Sequence, residues 1–154
     1  MRWIVVAALL LGTHATARAA YLPDGGVTAQ EVASSLKAKG FQAEITADKD
    51  GDPLVKSIYE GTKFSVYFYE CSPKQRCKSI QYATGFSMDG GIPPAKVAEW
   101  NRKKRFGRVY RDDESDPWIE MDMDMEHGGT TEALANNLDR WLLVVREFRK
   151  FLGR

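Results

Sequence analysis

Four residues at the end of one segment carry the most overt chemistry in this chain. Asp122, Asp124 and Glu126 recur at every second position, and His127 follows directly. Carboxylates on one strand face beside an imidazole suggest a divalent-cation site or acid/base work. Same-face strand neighbours sit ~7 Å apart, however, which is too far for an unaided catalytic dyad, and no second acidic cluster completes a cage. The row therefore reads as a solvated strand face salted by Arg108 and Arg111. A metal-dependent hydrolase or a metal binder built on Asp122, Asp124, Glu126 and His127 is the rival reading. Met121, Met123 and Met125 alternate with these acids. Thioethers suit Cu(I), but a period-two methionine row facing a long apolar helix reads as core filling.

The other candidates are weaker. Asp48, Asp50 and Asp52 imitate the start of an EF-hand loop, but Pro53 stands where the glycine belongs and Tyr59 where the closing glutamate belongs. Arg102 to Arg105 are four consecutive cations that wrap around a helix end instead of forming a stripe, so no nucleic-acid partner is expected. The sequence carries no Gly-rich phosphate loop and no serine nucleophile elbow. No catalytic residue, metal or cofactor is assigned. Cys71 and Cys77 are the only cysteines. Strand alternation puts Cys71 with Tyr67 and Tyr69, and Cys77 with Ser79 and Gln81, on the face away from Phe64, Val66 and Phe68. A structural disulfide is expected, since an exported chain meets an oxidising compartment and the pair lacks both Cys-x-x-Cys spacing and further zinc ligands.

Export follows from the first segment. Arg2 precedes eight apolar residues, Ile4 to Leu11, and Ala17-Arg18-Ala19 has small-x-small form. These are the parts of a secretory signal peptide cleaved after Ala19. The run is far short of the ~20 residues of a membrane span, so no stable membrane insertion is expected after cleavage. The mature chain, residues 20–154, then suits one domain with one core, located in the periplasm or secreted. Of 22 basic and 21 acidic side chains, Arg2 and Arg18 fall in the signal, which leaves 20 against 21 and a net charge of −1. That balance points to no polyanionic partner.

The elements that position these residues follow from periodicity. Thr28 and Glu31 form a capping-box pattern, flanked by Val27 and Val32 at staple spacing, and the helix runs to about Lys39 before Gly40. Four strands are expected over Phe41–Ala47, Leu54–Glu60, Lys63–Cys71 and Cys77–Phe86, with short turns that make an antiparallel meander. Pro94 starts a second helix anchored by Val97 and Trp100. A hairpin of Phe106–Arg111 and Trp118–His127 is expected to pair Arg108 with Glu120, Val109 with Ile119 and Tyr110 with Trp118, because a slip by one residue would turn Arg108 onto the methionine face. Thr130 or Thr131 caps a last helix whose Leu134, Leu138, Trp141, Leu142, Val145, Phe148 and Leu152 keep helical spacing. That helix is expected to lie across the sheet and bury Met123. The class is α+β, one antiparallel sheet in the order α-β-β-β-β-α-β-β-α with helices mainly on one face.

FSVYFYEC (Phe64 to Cys71), CKSIQYATGF (Cys77 to Phe86), EWNRKKRFGRVY (Glu99 to Tyr110) and DPWIEMDMDMEHGG (Asp116 to Gly129) together resemble the exported branch of the YbjN family. That family is described as putative bacterial sensory transduction regulators. The resemblance spans about Val27 to Phe151 and implies a fold similar to type III secretion chaperones, helices on an antiparallel sheet and often dimeric. It carries no catalytic residues across. The expected function is a non-enzymatic periplasmic module that binds a protein or peptide, a second copy of the chain among the candidates. Alternation puts Tyr67, Tyr69, Tyr110 and Trp118, with Glu120 and Asp122 beside them, on the sheet face away from the last helix. That face is the candidate partner surface unless the first or second helix covers it.

Overall fold

The computed structural model describes residues 19–73 and 76–154; the signal segment lies outside the described residues, apart from Ala19. The element order is β1 (Tyr21–Leu22), α1 (Ala29–Ala38), β2 (Glu44–Ala47), β3 (Pro53–Tyr59), β4 (Thr62–Cys71), β5 (Cys77–Gly85), α2 (Pro94–Lys103), β6 (Arg108–Arg111), β7 (Pro117–Asp124), β8 (Gly129–Thr130) and α3 (Thr131–Phe151). Six strands make one antiparallel sheet in the order β2-β3-β4-β5-β7-β6, and the two-residue β1 and β8 pair separately. The fold is α+β, as the periodicity required.

Helix α1 starts where its capping box is. The Glu31 N–H donates to Thr28 Oγ1 at 3.2 Å, and the Thr28 N–H donates back to a Glu31 carboxylate oxygen at 2.8 Å. Two of the orphan donors of a first turn are thereby satisfied. Val27 and Val32 are both buried. Gly40 closes the helix with φ +84°, a conformation open to glycine at little cost. The chain does not extend at once: the Phe41 N–H donates to Leu36 O, so β2 begins at Glu44 and not at Phe41.

One face of the sheet is covered by α1 and α3. Val55, Phe64, Val66, Phe68, Ile80, Tyr82, Val109, Ile119 and Met121 point into that layer and are buried. From α3, Leu134, Leu138, Trp141, Leu142, Val145 and Phe148 meet them. Trp141 is fully buried, stacked on Tyr82 at 5.7 Å and edge-on to Phe64 at 6.1 Å. Such ring pairs add ~0.5–1.5 kcal/mol beyond burial. The methionine row is less even than expected. Met121 and Met125 are buried, but Met123 is half-buried. Met125 is held in the core by the ladder, since its N–H still donates to Lys78 O, and the chain turns only after it, where the Gly128 N–H donates to Met125 O.

Helix α2 takes a different position. Its buried residue, Trp100, packs edge-on against Phe148 and Phe151 of α3. The next residue, Asn101, lies against the free edge of β6: its amide donates to Val109 O and its carbonyl accepts the Val109 N–H, both at 2.9 Å. An exposed strand edge is a template for unwanted pairing, and one asparagine closes the outward-facing pair of this one. α2 is thus spent on an edge and on the end of α3, and among the described residues no helix lies over the second sheet face.

Candidate functional site

Inside an outer row of Tyr69, Ser79 and Asp124, three rows of cross-strand neighbours order the uncovered face. The first runs Leu54, Tyr67, Gln81, Asp122 from β3 to β7. The second runs Lys56, Ser65, Ala83, Glu120, Arg108, and the third Gly85, Trp118, Tyr110. The register foreseen for the last hairpin holds in all three of its pairs. Ser65, Ala83 and Gly85 are small, so the middle of the face is a shallow floor between larger side chains. Trp118 lies across Gly85 so closely that a Cβ there would stand 2.4 Å from its ring. The indole N–H donates to Asp112 Oδ2 at 2.9 Å, while the other oxygen of Asp112 accepts the N–H groups of Glu114 and Asp116. The ring is therefore pinned from both sides.

Tyr67, Tyr110 and Trp118 are half-buried, and Tyr69 is 42% exposed. The Tyr69 hydroxyl donates to Gln81 Oε1 at 3.2 Å, and Gln81 Nε2 donates to Asp122 Oδ1 at 2.9 Å. Glu120 is buried on this face and bonded to Arg108, whose guanidinium also lies 5.5 Å from the centre of the Tyr110 ring. Burial, then the Glu120 and Asp122 charges, push the Tyr69 hydroxyl above the ordinary tyrosine range. Burial and Glu120 do the same to Tyr110 against the opposing pull of Arg108. Both phenols stay protonated donors at neutral pH, in a negative local field. Where the floor meets the sheet end it opens into a groove of ≈ 1040 Å³. Lys37, Lys56 and Lys63 line the β3–β4 side of it, and Asp112, Glu114 and Asp116 line the side of the β6–β7 turn.

Residues 28–154 match the family whose description reads YbjN, "Putative bacterial sensory transduction regulator". The chain belongs to the YbjN family. This is a regulator family and not a known enzyme family. The match starts at the N-cap of α1 and runs through α3, so the whole uncovered face of this YbjN domain falls inside it. No curated protein and no solved structure matches the chain. Among the described residues, no helix is long and apolar enough to cross a membrane.

The acidic row does not converge. Glu126 turns to Lys78 at 2.8 Å, and that hydrogen bond and charge hold its carboxyl below the ordinary glutamate range. Asp124 Oδ1 accepts the Glu126 N–H, and Asp122 is engaged by Gln81. Among the described residues no three His, Cys, Asp or Glu side chains are grouped to hold a metal ion. Cys71 and Cys77 pair across β4 and β5 at disulfide distance, with Cα atoms 3.9 Å apart. Their setting differs from the expectation of an outward face. Cys77 is fully buried and belongs to the core cluster, with Cys71 packed against it. Glu70 has φ +53°, which interrupts the alternation, and Val27 bridges to the backbone of Cys77 through two hydrogen bonds. Arg108, Gln81, Gly85 and Asp112 were not singled out as site residues by sequence reasoning. The alternation of β5 held the signal for two of them, since it sets Gln81 and Gly85 opposite in phase to Ile80 and Tyr82.

Proposed function

We propose that this chain is a non-enzymatic periplasmic module that docks a protein or peptide on its uncovered sheet face, on a scaffold like that of type III secretion chaperones. Residues 1–19 would be removed on export, leaving a single domain over residues 20–154. One observation carries the reading: Tyr67, Tyr69, Tyr110 and Trp118 stand together on a sheet face that none of α1, α2 and α3 covers. A solvated sheet face has no need of four aromatic side chains, and tyrosine, tryptophan and arginine are enriched at binding hot spots. Contiguous exposed apolar area on a small protein marks an interaction surface. The pinned indole and the Tyr69–Gln81–Asp122 chain support the same conclusion, because preorganised side chains lose less freedom on binding.

The test is Tyr69→Ser combined with Trp118→Ser. Cross-linking in periplasm followed by mass spectrometry reads the partner, and sedimentation reads self-association. Loss of the cross-linked partner or of the dimer, in a variant whose circular dichroism shows that it remains folded, is the expected result; unchanged association would refute the reading. The same mass spectra should show Ala20 as the N-terminus, and an intact Met1 on periplasmic protein would overturn the cleavage after Ala19.

A further inference from the structure

We propose that the feature recognised on this face is a guanidinium group: an arginine side chain of the partner polypeptide, seated between Glu120 and Tyr110 in the place Arg108 now holds. The inference rests on the docking surface proposed above and names its specificity. Its basis is an asymmetric ion pair. The Glu120 side chain is 5% exposed, whereas that of Arg108 is 68% exposed. Glu120 is the one buried carboxylate among the described residues, fixed mid-strand in β7 with Ala83 on one side and Arg108 on the other. It cannot move out to water. Arg108, on the outermost strand, can.

The occupant already present defines the ligand. Arg108 bonds the carboxylate and covers the Tyr110 ring at once, which are the two contacts that distinguish a planar, delocalised cation from a compact ammonium. Asp122, one row away on the same strand face, is exposed and spends one oxygen on Gln81. With Arg108 swung aside, the centre of the face carries two negative charges and no cation. Leaving Glu120 buried and unpaired is costly, so Arg108 does not simply dissociate; it is exchanged for an incoming cation. The surrounding tyrosines and Trp118 then receive the backbone and neighbouring side chains of the partner. Arg108 thus acts as an internal competitor that keeps the face closed to weak cationic ligands.

The probe is N-acetyl-L-argininamide, titrated into 15N-labelled protein and followed at the backbone amides of Ala83, Tyr110 and Glu120. Arg108→Ala should bind it about tenfold more tightly than the wild type, the gain that follows if Arg108 fills the seat about nine-tenths of the time and so leaves about a tenth of the molecules competent. Adding Glu120→Gln to Arg108→Ala should reverse the gain, and the neutral isostere N-acetyl-citrullinamide should not bind. If Arg108→Ala fails to fold, Arg108→Gln, which keeps a donor for Glu120, is read by the same criteria. Equal affinity in wild type and Arg108 variant overturns the proposal. So does comparable binding of the citrulline analogue, or of tetramethylammonium, which would mark an aromatic cage without guanidinium selectivity. Absence of argininamide binding alongside loss of partner capture in the Tyr69/Trp118 variant would remove this specificity and keep the docking face. Unchanged capture in that variant would remove the docking face whatever the titration reads.

Discussion

Gly85→Val separates the uncovered face from the fold that carries it. Gly85 ends β5 opposite Trp118 and does not have the positive φ that would penalise a side chain. The obstacle is the indole alone. A Cβ would stand 2.4 Å from Cε2, 2.7 Å from Nε1 and 2.8 Å from Cζ2, so the ring must leave its seat and release Asp112. Losing a hydrogen bond to a carboxylate at a partly exposed site costs about 1–2 kcal/mol. Exposing ~60–80 Å² of ring adds about 2 kcal/mol. Replacing glycine by a β-branched residue in a strand returns about 1 kcal/mol. The net cost is about 2–3 kcal/mol, with the core under α3 untouched. Urea denaturation reads the stability. The Trp118 indole N–H resonance and the emission maximum read the displacement, since Trp100 and Trp141 are buried and not affected. Gly85→Ala should move the indole as far as Gly85→Val does, because Cβ itself makes the clash. A folded Gly85→Ala with an unshifted Trp118 resonance, or a Gly85→Val more stable than the wild type, would refute the pinned-ring account.

Three further outcomes are expected. Non-reducing peptide mapping of exported protein should find Cys71 linked to Cys77, and Cys71→Ser should lower stability by about 2 kcal/mol, the chain-entropy figure for so short a loop; two free thiols in protein taken directly from periplasm would rule the disulfide out. Asn101→Ala should cost about 1–2 kcal/mol and speed amide exchange at Val109, whose N–H and C=O it now pairs; unchanged exchange there would show that the β6 edge is closed by something else. Burial holds the Tyr82 hydroxyl above its ordinary value of 10.0. A raised pKa favours the neutral phenol in the folded state, so this stabilisation is whole below pH 10.0 and is lost as pH climbs beyond it. Tyr82→Phe should flatten the alkaline limb of a stability-against-pH profile, and an unchanged limb would assign alkaline unfolding to other groups.

The elements legible in the sequence are those whose evidence is local. The pairs Arg108–Glu120, Val109–Ile119 and Tyr110–Trp118 could be read because only one phase keeps both charges off the apolar face. The buried positions of α3 follow from spacing alone, and the α1 start follows from Thr28 and Glu31. What was not legible depends on distant partners. Nothing in β5 or β7 states that Gln81 will lie beside Asp122, so the insertion of β7 between β5 and β6 has no local signal. Cys77 is buried by Gly26 and Val27, fifty residues upstream, where the only trace is a glycine whose Cβ would strike the Cys77 carbonyl at 2.1 Å. Glu120 shows the same limit in its sharpest form. Alternation assigns it to the outward face, correctly, and outward normally means wet. Here Leu54, Ala83 and Glu120 all sit on the face without helices and are still buried. With none of α1, α2 and α3 over them, neighbouring side chains of that face keep solvent away. The aromatic side chains and the buried carboxylate are therefore one construction. Tyr110 lies against Arg108, the partner of Glu120, and Trp118 is the next same-face residue of its strand, which is why substitution at Trp118 should be felt in the electrostatics of the face as well as in its shape.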